Sequence, residues 1–156
     1  MRRALLAAVL LAVVFSPAAA PAAKNDVLRA NGLTVAAPRG WHITRERLTE
    51  CSSPTQVMAV TDTHGRLGLN AKLPRERTLV LVLEDRGYQG RGFPPRKPFT
   101  IPARIDPMGG CCEMPYSRGF EFTFRDHGRN FYAFVYTATR GNAERAVAVL
   151  NTLEVG

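Results

Sequence analysis

The stretch FEFTFRDHGRNFYAFVYT, residues 120–137, decides the fold of this chain. Phe120, Phe122 and Phe124 alternate with polar residues, which is the period of a half-buried β-strand. Asp-His-Gly at 126–128 is a turn sequence, and residues 130–137 return as a second strand rich in aromatic residues. We therefore predict an antiparallel hairpin whose aromatic side chains pack in the core and across the strand pair.

Four shorter strands are predicted before this hairpin, at residues 33–37, 41–45, 57–61 and 78–84. The last of them, TLVLVLE, is apolar on both faces, so we place it at the centre of the sheet. The short apolar runs separated by Pro- and Gly-containing turns are typical of an antiparallel sheet.

A helix is predicted after the hairpin. Gly141 ends the second strand, and the side-chain oxygen of Asn142 is expected to cap the helix. Apolar residues then recur at helical spacing and form one narrow stripe. The predicted fold is α+β, an antiparallel sheet of five or six strands with a C-terminal helix packed on one face. The residues of the stripe are Ala143, Ala146, Val147 and Leu150.

The N-terminal residues 1–22 have the pattern of a secretory signal peptide. Two arginines precede an apolar run at 4–15, and small residues follow, so we expect cleavage near Ala22. The run is too short for a membrane span. We predict a flexible lead-in at 23–30 and a single domain at 31–156, in a secreted or periplasmic, cell-envelope protein that is not an integral membrane protein.

The chain is basic, with a formal net charge of +8. Its densest basic stretch is a loop interrupted by glycines and prolines, which is predicted to contact an anionic ligand such as a cell-envelope component. Nucleic acid is not an expected partner, because export separates the protein from nucleic acid and the sequence carries no recognition motif. The basic residues of this loop are Arg86, Arg91, Arg96 and Lys97.

Three cysteines remain after the expected cleavage: Cys51, Cys111 and Cys112. In an oxidising compartment a disulfide is the default, and we predict a bridge from Cys51 to one of the other two. Such a bridge closes a loop of about 60 residues and contributes roughly 4 kcal/mol in the chain-entropy model. The sequence leaves open which cysteine pairs and what the third one does. A bridge between the two neighbouring cysteines is the strained alternative.

The segment around two of these cysteines offers a second interpretation. Met108, Cys111, Cys112 and Met114 place two thioethers beside two thiols, and soft sulfur ligands suit Cu(I). The segment contains no histidine, and methionine also serves to fill irregular gaps in a core. A thiol-redox or copper-binding protein is therefore the alternative function.

The sequence gives little support for catalysis. A cysteine-dependent hydrolase would need Cys112 beside His64 or His127 in space, and no local motif indicates this. Glu84 and Asp85 are neighbours, so on a strand their side chains point to opposite faces. No cofactor motif is found, and we expect no cofactor. The prediction is an exported, non-catalytic accessory or binding protein of unknown ligand.

Both ends of the chain resemble known proteins. Residues 32–41, GLTVAAPRGW, and 150–155, LNTLEV, are similar to uncharacterised small exported bacterial proteins and, more distantly, to the PsbP-like group. In that group an antiparallel sheet packs against helices, and most members are accessory or binding proteins. The resemblance implies the same fold class and a non-catalytic role, and no catalytic residue carries over. The chain departs from the group in its middle, where long loops stand in place of helices.

Overall fold

A computed structural model of the chain describes residues 24–68, 73–87, 92–106 and 118–156. The predicted signal peptide lies outside these ranges. Within them the chain forms eight strands and one helix: β1 (Asn25–Ala30), β2 (Leu33–Pro38), β3 (His42–Ile43), β4 (Thr55–Thr61), β5 (Leu79–Asp85), β6 (Gly119–Asp126), β7 (Arg129–Tyr136), α1 (Arg140–Asn151) and β8 (Glu154–Val155).

The strands form two antiparallel sheets. One has five strands in the order β3-β4-β5-β7-β6, and the other has three in the order β1-β2-β8. Together with α1 they confirm the predicted α+β class. The prediction has a single sheet, whereas the structure has two: the strand predicted at 33–37 is β2 of the three-stranded sheet, and the later predicted strands form the five-stranded one.

The predicted aromatic hairpin is confirmed. β6 and β7 pair along their whole length, with Phe124 opposite Phe131 and 5.2 Å between the ring centroids. At the turn, His127 has φ +47° and Gly128 has φ +77°. Two successive positive φ values make a type I′ turn, whose twist matches that of the strands it joins.

The central position of β5 is also confirmed. β5 lies between β4 and β7, and all its residues from Leu79 to Glu84 are buried. Val80 and Val82 belong to one core and Leu81 to another, on the opposite face of the sheet. A strand that is covered on both faces must be apolar on both, which explains the continuous run of leucine and valine.

The flexible lead-in predicted for residues 23–30 is wrong over 25–30, where the chain forms β1. β1 and β2 are joined by a two-residue turn in which Asn31 has φ +47° and Gly32 has φ +76°. Asn-Gly is the preferred sequence for this type I′ turn. Two side chains of β1, Leu28 and Ala30, pack against the core, and this packing orders the strand.

The helix is confirmed, but Asn142 is not its cap. Thr139 has extended backbone and its hydroxyl oxygen accepts a hydrogen bond from the N–H of Asn142 at 3.3 Å. Asn142 therefore lies in the first turn, where it is buried and donates from its side chain to the carbonyl oxygen of Arg75 at 3.5 Å. The predicted apolar stripe is buried as expected: Ala143, Ala146, Val147 and Leu150.

The two faces of the five-stranded sheet have different covers. We call the face under α1 and the three-stranded sheet the helix face; its core includes Val82, Val135 and Leu150. The opposite face is covered by side chains from the connections between strands, such as Leu48 and Leu67. We call it the loop face.

The three-stranded sheet joins early and late parts of the chain. Leu33 of β2 pairs with Val155 of β8, and the N–H of Gly156 donates to the carbonyl oxygen of Gly32 at 2.8 Å. Leu153, just before β8, is buried in the core of the helix face. β8 thus holds the end of α1 against β2.

Candidate functional site

Two arginines of the predicted anion-binding loop, Arg86 and Arg96, lie beside acidic side chains. Arg86 Nη2 is 3.1 Å from Glu84 Oε2, and Arg96 Nη1 is 3.0 Å from Asp126 Oδ2. Lys97 is exposed. Because Arg86 and Arg96 each face a carboxylate, these two arginines attract a further anion less strongly than the sequence predicts.

Five of the predicted site residues lie outside the described residues: Arg91, Met108, Cys111, Cys112 and Met114. The soft-metal site and the contact of the basic loop with an anionic ligand therefore stay predictions.

Cys51 lies in the connection between β3 and β4, half buried, and its N–H donates to Thr49 Oγ1 at 3.1 Å. Since the other two cysteines lie outside the described residues, the predicted disulfide also stays a prediction. Within the four described stretches, no three His, Cys, Asp or Glu side chains come close enough to hold a metal ion.

Asp126 anchors the end of the aromatic hairpin. Partial burial acts to raise the pKa of Asp126, but hydrogen bonds from Arg96 and from the His127 ring outweigh it, and the pKa lies below its ordinary value. Arg96 also donates to the Leu150 carbonyl oxygen at 3.5 Å and lies over the Phe99 ring, 5.6 Å from its centroid. These contacts tie the loop, the hairpin and the helix together, which is a structural role.

Glu84 and Arg129 form a second, more buried ion pair. Arg129 Nε donates to Glu84 Oε1 at 2.8 Å and its Nη2 donates to Oε2 at 3.1 Å, so the pair is bidentate. The hydrogen bond from Arg129 lowers the pKa of Glu84 despite its burial, and the same bond raises the pKa of Arg129. Arg129 also donates to the carbonyl oxygens of Asn31 and Gly156. The pair closes one end of the helix face.

The two histidines considered for a hydrolase have other neighbours. His127 is exposed in the hairpin turn, where its Nδ1 is 2.9 Å from Asp126 Oδ1. His64 is exposed and stacks on His42, with 6.3 Å between the ring centroids. The thiol that would complete this site, Cys112, is outside the described residues.

A groove of about 460 Å³ opens between the two sheets. It is lined by residues 29–31 at the end of β1, by 43–45 at the end of β3, and by 56–59 of β4. β3 is only two residues long, and β4 has a bulge between Gln56 and Met58, so the two strands separate at this point.

Amide side chains fix the shape of the groove. Asn31 Nδ2 donates to the carbonyl oxygen of Val57 at 2.7 Å, which holds the turn of the first hairpin against the bulge. Gln56 accepts from the N–H of Leu48 at 2.9 Å and donates to the carbonyl oxygen of Glu46 at 2.8 Å. Both amides are thus engaged with the backbone and shape the groove without depending on a ligand.

Two arginines, Arg29 and Arg45, line the groove and are exposed. In the described part of the chain neither has an ion-pair or hydrogen-bond partner for its guanidinium. Two uncompensated positive charges in one concave site create a positive potential. A second groove of about 450 Å³, beside Arg96 and Lys97, contains the carboxylate of Asp126 and is less positive for that reason.

Sequence reasoning missed this groove. Arg29 falls in the segment predicted to be flexible, and Arg45 at the end of a predicted strand, so neither stands out as a site residue. The Asn31-Gly32 turn was the available signal, because it indicates that residues before it form a strand. The approach of that strand to β3 depends on the packing of the two sheets and is not visible in the sequence.

Comparisons with family models, curated proteins and solved structures find no match for this chain. The resemblance to the PsbP-like group therefore stays a prediction. Among the described residues, no helix has the length and apolar character needed to cross a membrane.

Proposed function

We propose that this chain is an exported, non-catalytic binding protein that holds an anionic ligand in the groove between its two sheets. The observation that carries the proposal is that Arg29 and Arg45 both line one groove, and that neither guanidinium group has an acidic partner within the part of the chain that the structure describes. Guanidinium groups bind carboxylates and phosphates through parallel hydrogen bonds, and they hold their charge at any physiological pH. An anion between them would also relieve their mutual repulsion.

The groove is a better candidate than the basic loop that the sequence indicates. Arg86 and Arg96 each face a carboxylate, so a new anion would compete with Glu84 or Asp126. Arg29 and Arg45 have no such competitor among the described residues, and binding there breaks no existing ion pair.

The location of the protein is part of the proposal. The pattern of residues 1–22 supports secretion or a periplasmic, cell-envelope location. Outside the cytoplasm, anionic partners include acidic proteins, phospholipid headgroups and phosphate-containing polymers. The resemblance to the PsbP-like group supports an accessory or binding role rather than catalysis.

The test measures binding of polyglutamate and of inorganic polyphosphate at low salt. We expect at least one of these polyanions to bind, and R29Q/R45Q to weaken that binding at least about tenfold, through loss of charge-assisted hydrogen bonds. The matched control is R39Q/R125Q, which removes the same charge from two exposed arginines outside the groove. An equal loss in the two double variants would show that only net charge matters and would sink the proposal.

A further inference from the structure

The outer edge of β1 presents free peptide groups. In a hairpin with a two-residue turn, the residues flanking the turn exchange hydrogen bonds, so Ala30 bonds to Leu33 and every second residue before it also faces β2. The peptide groups of Val27 and Arg29 therefore point away from β2. In the described part of the chain these groups have no hydrogen-bond partner.

The opposite side of the groove has the same property. The N–H of Thr44 donates to the carbonyl oxygen of Ala59 at 3.0 Å, so Thr44 faces β4. Alternation along β3 then directs the peptide group of Ile43 away from β4. The groove thus lies between the outer edge of β1 and the end of β3, and the edge of β1 is the longer one that an extended chain can pair with.

The side chains along this edge set the chemistry of a partner. Val27 is 53% exposed, and Arg29 projects from the same face of β1. Directly opposed side chains of paired strands contact each other, so an added strand would place one residue against Val27 and the next but one against Arg29. An apolar residue followed two positions later by an acidic one is complementary. An acid opposite Arg29 also lies near the groove, which Arg29 and Arg45 both line.

We infer that the ligand is an extended acidic peptide segment that pairs antiparallel with β1, which adds a fourth strand to the three-stranded sheet. This inference rests on the proposed function and names the ligand class of the same groove. Backbone hydrogen bonds to Val27 and Arg29 supply affinity, and the two arginines select acidic side chains. A second copy of this chain is less complementary, since both copies carry the same net positive charge.

The test uses a peptide of sequence Thr-Glu-Thr-Val-Thr-Glu-Thr, acetylated and amidated, which reads the same in both directions. With its valine opposite Val27, the backbone N–H groups of valine and of both glutamates face β1, and those of the threonines face away. One derivative is N-methylated at the valine and glutamate amides. The other is N-methylated at inner threonine amides and is the matched control.

We expect the parent peptide and the threonine-methylated control to bind alike. The valine- and glutamate-methylated peptide should bind at least about tenfold more weakly, because it cannot donate to the β1 edge. R29Q/R45Q should weaken binding of the parent peptide by a similar factor while its melting temperature stays that of wild type. Hydrogen exchange of the Val27 and Arg29 amides should slow when the parent peptide binds.

Two results would overturn the inference and leave the proposed function standing. One is equal binding of all three peptides to wild type, with weaker binding only in R29Q/R45Q. This would mean that the groove binds the peptide through its charge and not through backbone hydrogen bonds. The other is binding of polyphosphate without binding of the peptide, which would assign the groove to a phosphate-containing polymer. If R29Q/R45Q binds both the peptide and polyphosphate as tightly as wild type does, the proposed function is wrong as well.

Discussion

The two faces of the five-stranded sheet bury similar side chains under different covers. On the helix face, Leu150 is fully buried by regular elements whose backbone groups bond to one another. On the loop face, Leu48 is equally buried, but it belongs to a connection between strands. The comparison shows that burial of a side chain does not reveal how firmly its surroundings are held.

The covers of the two faces also differ in how well the sequence predicts them. The stripe of α1 and the alternation of β6 and β7 are periodic, and periodicity predicted them. Of the side chains that cover the loop face, Leu48 stands alone in a polar stretch, and Leu67 and Leu73 lie between the strands predicted at 57–61 and 78–84, where no element was predicted.

The largest expected effect concerns the loop face and the predicted disulfide. Cys51 lies in the same connection as Leu48, and we expect it to be disulfide-bonded to Cys111 or Cys112. C51S should lower the free energy of unfolding by roughly 4 kcal/mol in oxidising buffer, because the unfolded chain regains the freedom of a long loop. Urea denaturation measures this change.

The matched control is wild-type protein with reductant, which should unfold as C51S does. A free-thiol count on protein purified without reductant accompanies it. Three free thiols, or equal stability of C51S and wild type in oxidising buffer, would contradict the disulfide and leave the loop face held by packing alone.

A pair of leucine truncations tests the two faces directly. L150A should cost about 3–4 kcal/mol, since the helix and the sheets around it cannot close the cavity. L48A should cost only about 2 kcal/mol, because a connection can move into the space. Both are measured by urea denaturation, and hydrogen exchange should show local opening of the loop face in L48A. Equal costs would mean that the loop face is as rigid as the helix face.

The ion pair at the end of the helix face gives a pH-dependent prediction. Arg129 lowers the pKa of Glu84 in the folded state, so the unfolded state takes up a proton first as the pH falls. The stability from this pair is complete above the ordinary glutamate pKa of about 4.3 and is lost as the pH falls through the lower, folded value. E84Q should therefore be about 2 kcal/mol less stable than wild type at neutral pH, and the difference should shrink in acid.

The control for this pair is R86Q, because Arg86 also contacts Glu84 but its side chain is 72% exposed. Its cost should stay below about 1 kcal/mol. If R86Q costs as much as E84Q, or if the E84Q difference does not change with pH, Arg129 is not the main partner of Glu84. Thermal unfolding across the acid range decides between these results.

Local patterns predicted most of the larger sheet and the helix, and failed where tertiary packing decides. The alternating phenylalanines before Asp126 and the leucine-valine run of β5 fix strand type and position without further information. The residues of β1 show no clear alternation of apolar and polar side chains, and only the Asn31-Gly32 turn that follows predicts the strand. Asn142 is a good capping residue by type, but Thr139 is the one whose backbone is extended at the helix start.

The candidate site was less predictable than the fold. Arg86 and Arg96 attract notice because they are clustered in sequence, yet each lies beside a carboxylate. Arg29 and Arg45 are 16 positions apart in sequence, and only the packing of two sheets brings them to one groove. The sequence shows where the arginines are, but whether an arginine can bind an anion depends on the charged groups near it in space.

The pairing of β2 with β8 has a consequence for the order in which the molecule can assemble. A strand near the start of the domain obtains one of its two neighbours only from residues 154–155. A chain that emerges from a ribosome or a membrane channel with its N-terminus first cannot close this sheet until those residues have followed. Until then β2 has an open edge, so the fold cannot be complete before the last strand is available.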